Sequence, residues 1–462
     1  MSEQKLPKIF SFFPEVQPPT QKVVPFEQKL KWTLVVLISF FVLGMIPLFG
    51  LGNNALQQFE YLSIILGAEF GSILSLGIGP IVTASIVLQL LVGAGLLKIN
   101  INEPEGRAYF ENIQKLLSIA FIILEATLYV YTGGLAPNPN APNQGLIKLV
   151  LIFQLFLGGM LILFMDEVSN KWGFGSGISL FIAAGVSKSL FIALLSPLKS
   201  PANPEAYIGA IPMFIKSLTG GDIQTASLMF MSIFFTFAVF AIAVYLQAMK
   251  VEIPLSFGRV RGYGIRWPLN FIYTSNIPVI LVAALMANIQ LIARLLQNMG
   301  RPILGTFAGN TPTTGIVAWL NAPNIMSRIV TRGLTWLDVA HALVYMLFMI
   351  LGAVLFSILW VQTSGMDARS QAEQILASGL QVPGFRRDER ILERILERYI
   401  FPLTVMGAIA VGFLAAFADI SGALSRGTGI LLAVMIIYQF YERIAREHAV
   451  DMNPTVRKFI KG

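Results

Sequence analysis

A polytopic bundle of about ten membrane-crossing α-helices is the fold class predicted by this 462-residue sequence, and three observations carry that reading. Hydrophobic residues make up 55% of the chain and charged residues 13%, against the roughly 25% charge of soluble domains. The mean hydropathy is +0.70. The apolar residues also gather into runs close to the ~20 residues with which an α-helix crosses ~30 Å of hydrocarbon. Ten such crossings leave no length for a large domain outside the membrane.

Taken in order, residues 1–30 scatter lysines and prolines without an apolar centre, so they read as a terminal segment outside the membrane and not as a cleaved signal peptide. The first span is expected at 31–49. The stretch 53–97 is too long for one crossing and is broken by Gly77-Ile78-Gly79-Pro80. Its early part, 59–71, holds Glu60 and Glu69 and is only weakly apolar. It reads either as a short helix that enters the membrane without crossing, or as an amphipathic helix lying on the surface. The second span is expected at 71–97, and the next three at 110–131, 146–165 and 174–195. A connecting segment, 196–225, separates these from five more at 226–249, 267–293, 337–361, 399–418 and 428–441. Loops at 250–266 and 362–398 and a tail at 442–462 complete the chain.

An even number of spans puts both termini on one side. That side collects 24 of the 33 Lys and Arg residues, which makes it cytoplasmic, because loops rich in Lys and Arg stay inside. The halves 31–195 and 226–441 hold five spans each and must run in opposite directions. Gly175-Ser176-Gly177-Ile178 opens the fifth span and Gly427-Thr428-Gly429-Ile430 the tenth, a short echo at corresponding places of an inverted repeat.

Cysteine is absent, and His341 and His448 stand alone. Disulfides, thiolate chemistry and Cys- or His-clustered metal sites are thereby excluded. Neither a phosphate-binding Gly-x-x-x-x-Gly-Lys-Ser/Thr loop nor His-Glu-x-x-His occurs. No cofactor and no enzymatic activity are expected. The net charge of +8 fits topogenic bias, anionic lipid or nucleic acid, and only its placement separates them.

Some residues stand out nonetheless. Glu125 lies deep in a span, where a carboxylate marks either a functional interior or interhelical bonding, and Thr83 and Asn288 on other spans are candidates to share its surroundings. Ile78 and Val82 sit four residues apart, as do Ile178 and Ile182, so each pair lies on one helical face. Gly or Pro breaks precede Ile178, Ile280 and Leu432. Spacing alone describes ordinary packing. Two loops carry clustered arginines, Arg259, Arg261 and Arg266 in one, Arg386 and Arg387 in the other. Such clusters serve topology and lipid headgroups, or dock on RNA phosphates. Residues 388–398 alternate acidic and basic side chains and read as a salt-bridged helix entering the ninth span.

Several stretches in order along nearly the whole chain resemble SecY proteins in their archaeal and eukaryotic-like form. They include Lys29-Leu30-Lys31-Trp32-Thr33, Leu76-Gly77-Ile78-Gly79-Pro80-Ile81-Val82-Thr83, Gln114-Lys115-Leu116-Leu117-Ser118-Ile119, Ser275-Asn276-Ile277-Pro278-Val279-Ile280, Met286-Ala287-Asn288-Ile289-Gln290 and Pro402-Leu403-Thr404-Val405-Met406. The resemblance implies a protein-conducting channel between two five-span halves, opening across the membrane for secreted chains and sideways for membrane helices. It implies a pore ring of Ile78, Val82, Ile178, Ile182, Ile280 and Leu432, and a lateral gate whose polar cluster is Thr83, Glu125 and Asn288. A plug would match Phe59-Glu60-Tyr61-Leu62-Ser63-Ile64-Ile65-Leu66-Gly67-Ala68-Glu69-Phe70-Gly71. Implied partners are a small single-span SecE-type subunit, a small beta-type subunit, the ribosome through Arg259, Arg261, Arg266, Arg386 and Arg387, signal sequences with nascent polypeptides, and membrane lipid. The rival class is a secondary transporter, which also uses broken helices but lines its centre with polar groups. A membrane-embedded enzyme lacks a catalytic constellation in this sequence.

Overall fold

The computed structural model describes residues 15–20, 24–54, 68–93, 96–97, 99, 104–139, 143–200, 203–257, 264–275, 277–308, 311–331, 333–377, 380–381, 389–424 and 427–448. Each of the ten expected spans contains a helix. In the first half these are α1 (Phe26–Gly44), α2 (Gly79–Gly93), α3 (Pro104–Tyr131), α4 (Gln144–Trp172) and α5 (Gly177–Leu195). Strand β1 (Leu51–Asn54) pairs with β2 (Leu135–Pro137), and the connecting segment folds into a hairpin, β3 (Lys199–Ser200) with β4 (Asn203–Tyr207), and helix α6 (Ala210–Thr219). The second half contributes α7 (Ile223–Ala248), α8 (Ile277–Asn298), α11 (Trp336–Thr363), α13 (Glu389–Ile420) and α14 (Gly427–His448). Between α8 and α11 lie the paired strands β7 (Phe307–Ala308) and β8 (Thr311–Pro312) and the short helices α9 (Gly315–Trp319) and α10 (Ile325–Val330), and α12 (Ala368–Ala377) precedes α13.

Helix starts follow side-chain capping. Asn143 accepts from the Leu146 N–H at 3.3 Å to open α4, Asp222 accepts from the Thr225 N–H at 3.1 Å to open α7, and Thr335 with Asp338 forms a capping box on α11. Eight of the described helices are long and apolar enough to cross a membrane unaided. The first helix carries Glu27, Lys29 and Lys31 near its start, which leaves 32–44 as its uncharged part.

The second expected span is shorter than 71–97. Residues 71–78 are turns, and α2 has 15 residues, about 22 Å at 1.5 Å per residue. Gly71 and Gly77 take φ of +98° and +56°, a backbone that breaks a helix, and Pro80 fits the first turn of the helix that follows. The Leu48 N–H donates to the Gly71 carbonyl at 2.9 Å and the Ile73 N–H to the Ile46 carbonyl at 3.0 Å, so this segment is tied to the end of α1. Gly158 of α4 lies against the Ile73 carbonyl so closely that a Cβ would overlap it.

The seventh span also starts later than expected, at Ile277 and not at 267. Of the residues 250–266 expected as a loop, 250–257 and 264–266 belong to two paired strands, β5 (Lys250–Phe257) and β6 (Gly264–Asn270), in register from Lys250 opposite Asn270 to Ser256 opposite Gly264. The strand β9 (Leu380–Gln381) adds to β5. Ser275, at φ +61°, turns the chain from the sheet into α8. Ile253 and Leu269 of this hairpin pack with Ala372, Ile375 and Leu396 of α12 and α13. Tyr273 donates to the Met366 carbonyl at 2.7 Å, and burial raises the pKa of its hydroxyl above the ordinary tyrosine range. The helix of the ninth span, α13, begins at Glu389 and so takes in 389–398, the stretch read as a helix entering that span, and Pro402 lies inside it.

Helices α2 and α3 pack together, as do α3 and α4, while α11 packs on both α8 and α13. The halves meet along two seams, α2 against α8 and α11, and α5 against α14. A buried core continuous across both seams joins Phe40, Ile162 and Phe181 of the first half to Met349, Val411 and Leu431 of the second.

Because the Gly158 contact admits no side chain, Gly158→Val should cost about 1–3 kcal/mol through overpacking and lower the thermal midpoint in detergent. Gly145→Ala, whose Cβ would meet only Asn143 Oδ1 at 3.6 Å, should leave it unchanged. Equal midpoints for the two variants would contradict this contact.

Candidate functional site

Four helices carry residues of one hydrophobic core at or near their starts. Ile78 immediately precedes α2 and Val82 is its fourth residue; Ile178 and Ile182 are the second and sixth of α5; Ile280 is the fourth of α8; Leu432 is the sixth of α14. All six aliphatics belong to a single hydrophobic cluster, five of them buried and Ile178 half-buried against it. Each therefore lies within the first two turns of its helix, or just before it. Two of the helices belong to each half, the first half supplying four of the six residues and the second half two.

The breaks that precede these helices explain the arrangement. A chain turning through Gly77, Gly175 or Ser275, with φ of +56°, +149° and +61°, can start a helix inside the protein instead of at its surface. The N–H groups of the first turn then need partners away from water. In α2 the Ile81 and Val82 N–H groups both donate to the Ile78 carbonyl, at 3.1 and 3.0 Å. In α5 and α14 the partners are carboxylates that sequence reasoning missed. Asp166 of α4 accepts from the Ile178 N–H at 2.9 Å, and Asp419 of α13 accepts from the Thr428 N–H at 2.8 Å. The one available signal was an aspartate at the end of an apolar run shortly before each Gly-Ser/Thr-Gly-Ile.

Beside the cluster, on the α2 and α8 seam, lie Thr83, Glu125 and Asn288. Asn288 Nδ2 donates to Thr83 Oγ1 at 2.8 Å, the Thr83 hydroxyl is 2.8 Å from the Gly79 carbonyl, and Glu125 Oε1 is 3.4 Å from Thr83 Oγ1. Glu125 is buried, and its Oε2 has no hydrogen-bond partner among the described residues; the Tyr129 hydroxyl, one turn along α3, has none either. A buried polar atom left unpaired costs about 1–3 kcal/mol. The closed seam is thus held by few bonds and carries unmet hydrogen-bonding capacity.

Of the plug segment, 59–67 lie outside the described residues. Residues 68–71 are extended and turn backbone, so the helix expected to run to Gly71 does not include them. Ala68 is buried, and Glu69 pairs with Lys188 of α5 at 2.6 Å. Arg259, Arg261, Arg386 and Arg387 also lie outside the described residues. Arg266 stands on β6, exposed, 2.9 Å from Glu252. The strands that lead into 258–263 and 382–388 pair with each other, Phe257 opposite Leu380 and Ser256 opposite Gln381. His341 packs edge-on against Trp319, with ring centres 5.4 Å apart.

A SecY family model matches residues 72–441. The protein translocase subunit SecY of Methanothermobacter thermautotrophicus is 44% identical over 462 residues, covering 99% of this chain and 99% of that protein. Among solved structures, one described as a protein conducting channel superposes with a TM-score of 0.81 at 40% identity, covering 97% of this chain and 99% of the other. Sec61 in a canine ribosome-channel complex from the endoplasmic reticulum superposes at 0.78 and 39% identity, with coverage of 97% and 99%.

The Asn288 to Thr83 bond joins the two halves, so its partners should be energetically coupled. In thermal unfolding of Thr83→Val, Asn288→Leu and the double variant, the coupling should be about 0.5–2 kcal/mol, the range for polar contacts between membrane helices. Strictly additive effects would show that the bond contributes nothing to holding the seam.

Proposed function

The chain belongs to the SecY family, and from that premise we propose that Ile78, Val82, Ile178, Ile182, Ile280 and Leu432 close its pore at rest while Thr83, Glu125 and Asn288 hold a lateral gate shut. The protein is a translocase subunit that forms a protein-conducting channel. The observation that carries the proposal is the gathering of the six aliphatics, from four helices of both halves, into one buried cluster. A translocating polypeptide presents every kind of side chain, so specific hydrogen bonds in the constriction would retard it. An apolar ring resists water and ions when closed and offers a passing chain nothing to bind.

The gate follows from the seam. Moving α2 away from α8 breaks the Asn288 to Thr83 bond and lets water reach Glu125 Oε2 and the Tyr129 hydroxyl. The hydration gained there offsets part of the lost packing, which keeps opening within reach of a bound signal sequence or membrane helix. Phe59 to Gly71 form the plug outside the ring, and the pairing of Glu69 with Lys188 anchors its end to α5. The channel resides in the cell membrane with both termini cytoplasmic, supported by the 24 of 33 basic residues on that side. A SecE-type single-span subunit and a small beta-type subunit complete the complex. The ribosome docks through Arg259, Arg261, Arg266, Arg386 and Arg387, a reading supported by the sheet in which β5 and β9 bring the strands of both arginine-bearing loops together.

Two measurements test these assignments. In planar bilayers, Ile280→Asn should wet the constriction and raise ion leakage at least several-fold, whereas Ile182→Leu should change it little; unaltered leakage through a folded, inserted Asn variant would return the six residues to plain packing. Reversing Arg259, Arg261 and Arg386 to Glu should weaken ribosome binding, and wild-type affinity should fall steeply with salt as phosphate contacts require. Ribosome affinity untouched by the triple reversal would remove the docking role.

A further inference from the structure

The fifth and tenth helices carry three of the six ring residues, and the ends that carry them share one feature. In each half, the preceding helix reaches forward with an aspartate and bonds the first turn of the ring helix. In the first half this is Asp166, half-buried, whose Oδ1 accepts from the Ile178 N–H at 2.9 Å, with Gly177 and Ser176 beside the same carboxylate. The second half has Asp419, whose Oδ1 accepts from the Thr428 N–H at 2.8 Å, while its Oδ2 takes the Thr428 and Tyr345 hydroxyls, the latter at 2.6 Å. Each Gly-Ser/Thr-Gly-Ile motif thus gives a backbone N–H to an aspartate, that of Ile178 in the first and that of Thr428 in the second, and Thr428 adds its hydroxyl. Gly177 permits the approach, because a Cβ there would lie 2.6 Å from Asp166 Cα.

We infer that Asp166 and Asp419 are the positioning residues of the pore ring, a repeated pair of carboxylate caps that fix where Ile178, Ile182 and Leu432 stand. The argument is geometric. Ile178 donates its own backbone N–H to Asp166, so the cap locates a ring residue directly and not through the helix body. Leu432 is one turn beyond Thr428, on the same face of α14. Ionised acceptors form hydrogen bonds roughly twice as strong as neutral ones, and the positive end of the helix dipole adds to them. Each cap lies within one half, so it moves with its half when the gate opens and holds its ring helix in both states. Because the fifth and tenth helices run in opposite directions, one cap holds the ring from each side of the membrane. Further bonds brace the first cap, as the Ser169 hydroxyl donates to the Gly175 carbonyl at 2.6 Å and Arg443 of α14 to the Phe174 carbonyl at 2.8 Å.

This inference rests on the reading of the six aliphatics as the channel's closure, and the experiment separates the two. Asp166→Ala, Asp419→Ala, Asp166→Asn, Asp419→Asn and Ile280→Asn are reconstituted with the wild type at equal amounts of inserted, protease-resistant protein, and resting openings are counted in planar bilayers. The caps as positioning residues require the Ala variants to open about tenfold more often, the equivalent of one charge-assisted hydrogen bond lost. The Asn variants, which keep an acceptor for the backbone N–H, should restore most of the closure. Where an Ala variant inserts too poorly, Thr428→Val, which keeps the backbone N–H, and Ser176→Ala, which also removes the bond from the Ser179 N–H at 3.4 Å, should raise openings by a smaller factor. Wild-type opening in the cap variants beside a leaky Ile280→Asn would overturn the caps and leave the ring standing. Wild-type opening in all of them would overturn the ring reading itself. Fewer channels of unchanged opening frequency would mark the aspartates as fold-stabilising only, and overturn the inference.

Discussion

A helix that begins inside an apolar core has to satisfy its first backbone N–H groups without water, and the rest of this structure depends on how it does so. Within hydrocarbon or a dry core each unsatisfied group costs several kcal/mol, on the order of what holds a small domain together. Here four helices begin at one buried cluster. The start of α2 is closed by a tight turn onto the Ile78 carbonyl, and α5 and α14 are closed by Asp166 and Asp419. The chain reaches these starts through backbone that ordinary residues avoid, at Gly77, Gly175 and Ser275. The aliphatic residues of the first two turns then join one hydrophobic core.

That arrangement divides the labour between two kinds of contact. The proposed ring is held by apolar packing, which is non-directional and has no bond to break when a chain enters. The seam between α2 and α8 is held by Asn288 and Thr83, next to a buried carboxyl with an unpaired oxygen. Polar contacts of this kind are directional and lose their geometry after a small displacement. An aliphatic centre that yields gradually and a polar seam that releases abruptly suit a channel that widens for a polypeptide and parts sideways for a membrane helix.

Much of this was legible in the sequence. The ten apolar runs located ten helices, because hydrophobic length is the dominant constraint on a chain in a bilayer. Thr83, Glu125 and Asn288 stand 42 and 205 residues apart along the chain, yet their polarity inside apolar runs marked them. Their mutual bonding is a matter of tertiary packing and left no local trace. The second span was read too long because Gly71 and Gly77 act through their φ angles, which composition averages over. The hairpin of β5 and β6 was read partly as loop and partly as span, since Trp267, Pro268 and Leu269 are apolar, while the packing of Trp267 and Leu269 against α12 and α13 comes from residues over a hundred positions away. Asp166 and Asp419 were passed over because a carboxylate at the end of a span looks like the first residue of a loop. Only the folded chain shows that their partners lie 12 and 9 residues ahead.

The absence of cysteine from the chain allows the central claim, that six aliphatics at four buried helix starts form one closed constriction on the polypeptide path, to be measured site by site. Single cysteines are placed at 78, 82, 178, 182, 280 and 432, and each is offered a hydrophilic thiol reagent at rest and a translocation-arrested chain carrying one thiol in its middle. The account predicts that all six are shielded from the reagent at rest and that all six form disulfides with the arrested chain. Free reaction at rest, or a subset that never meets the translocating chain, would contradict a single closed ring.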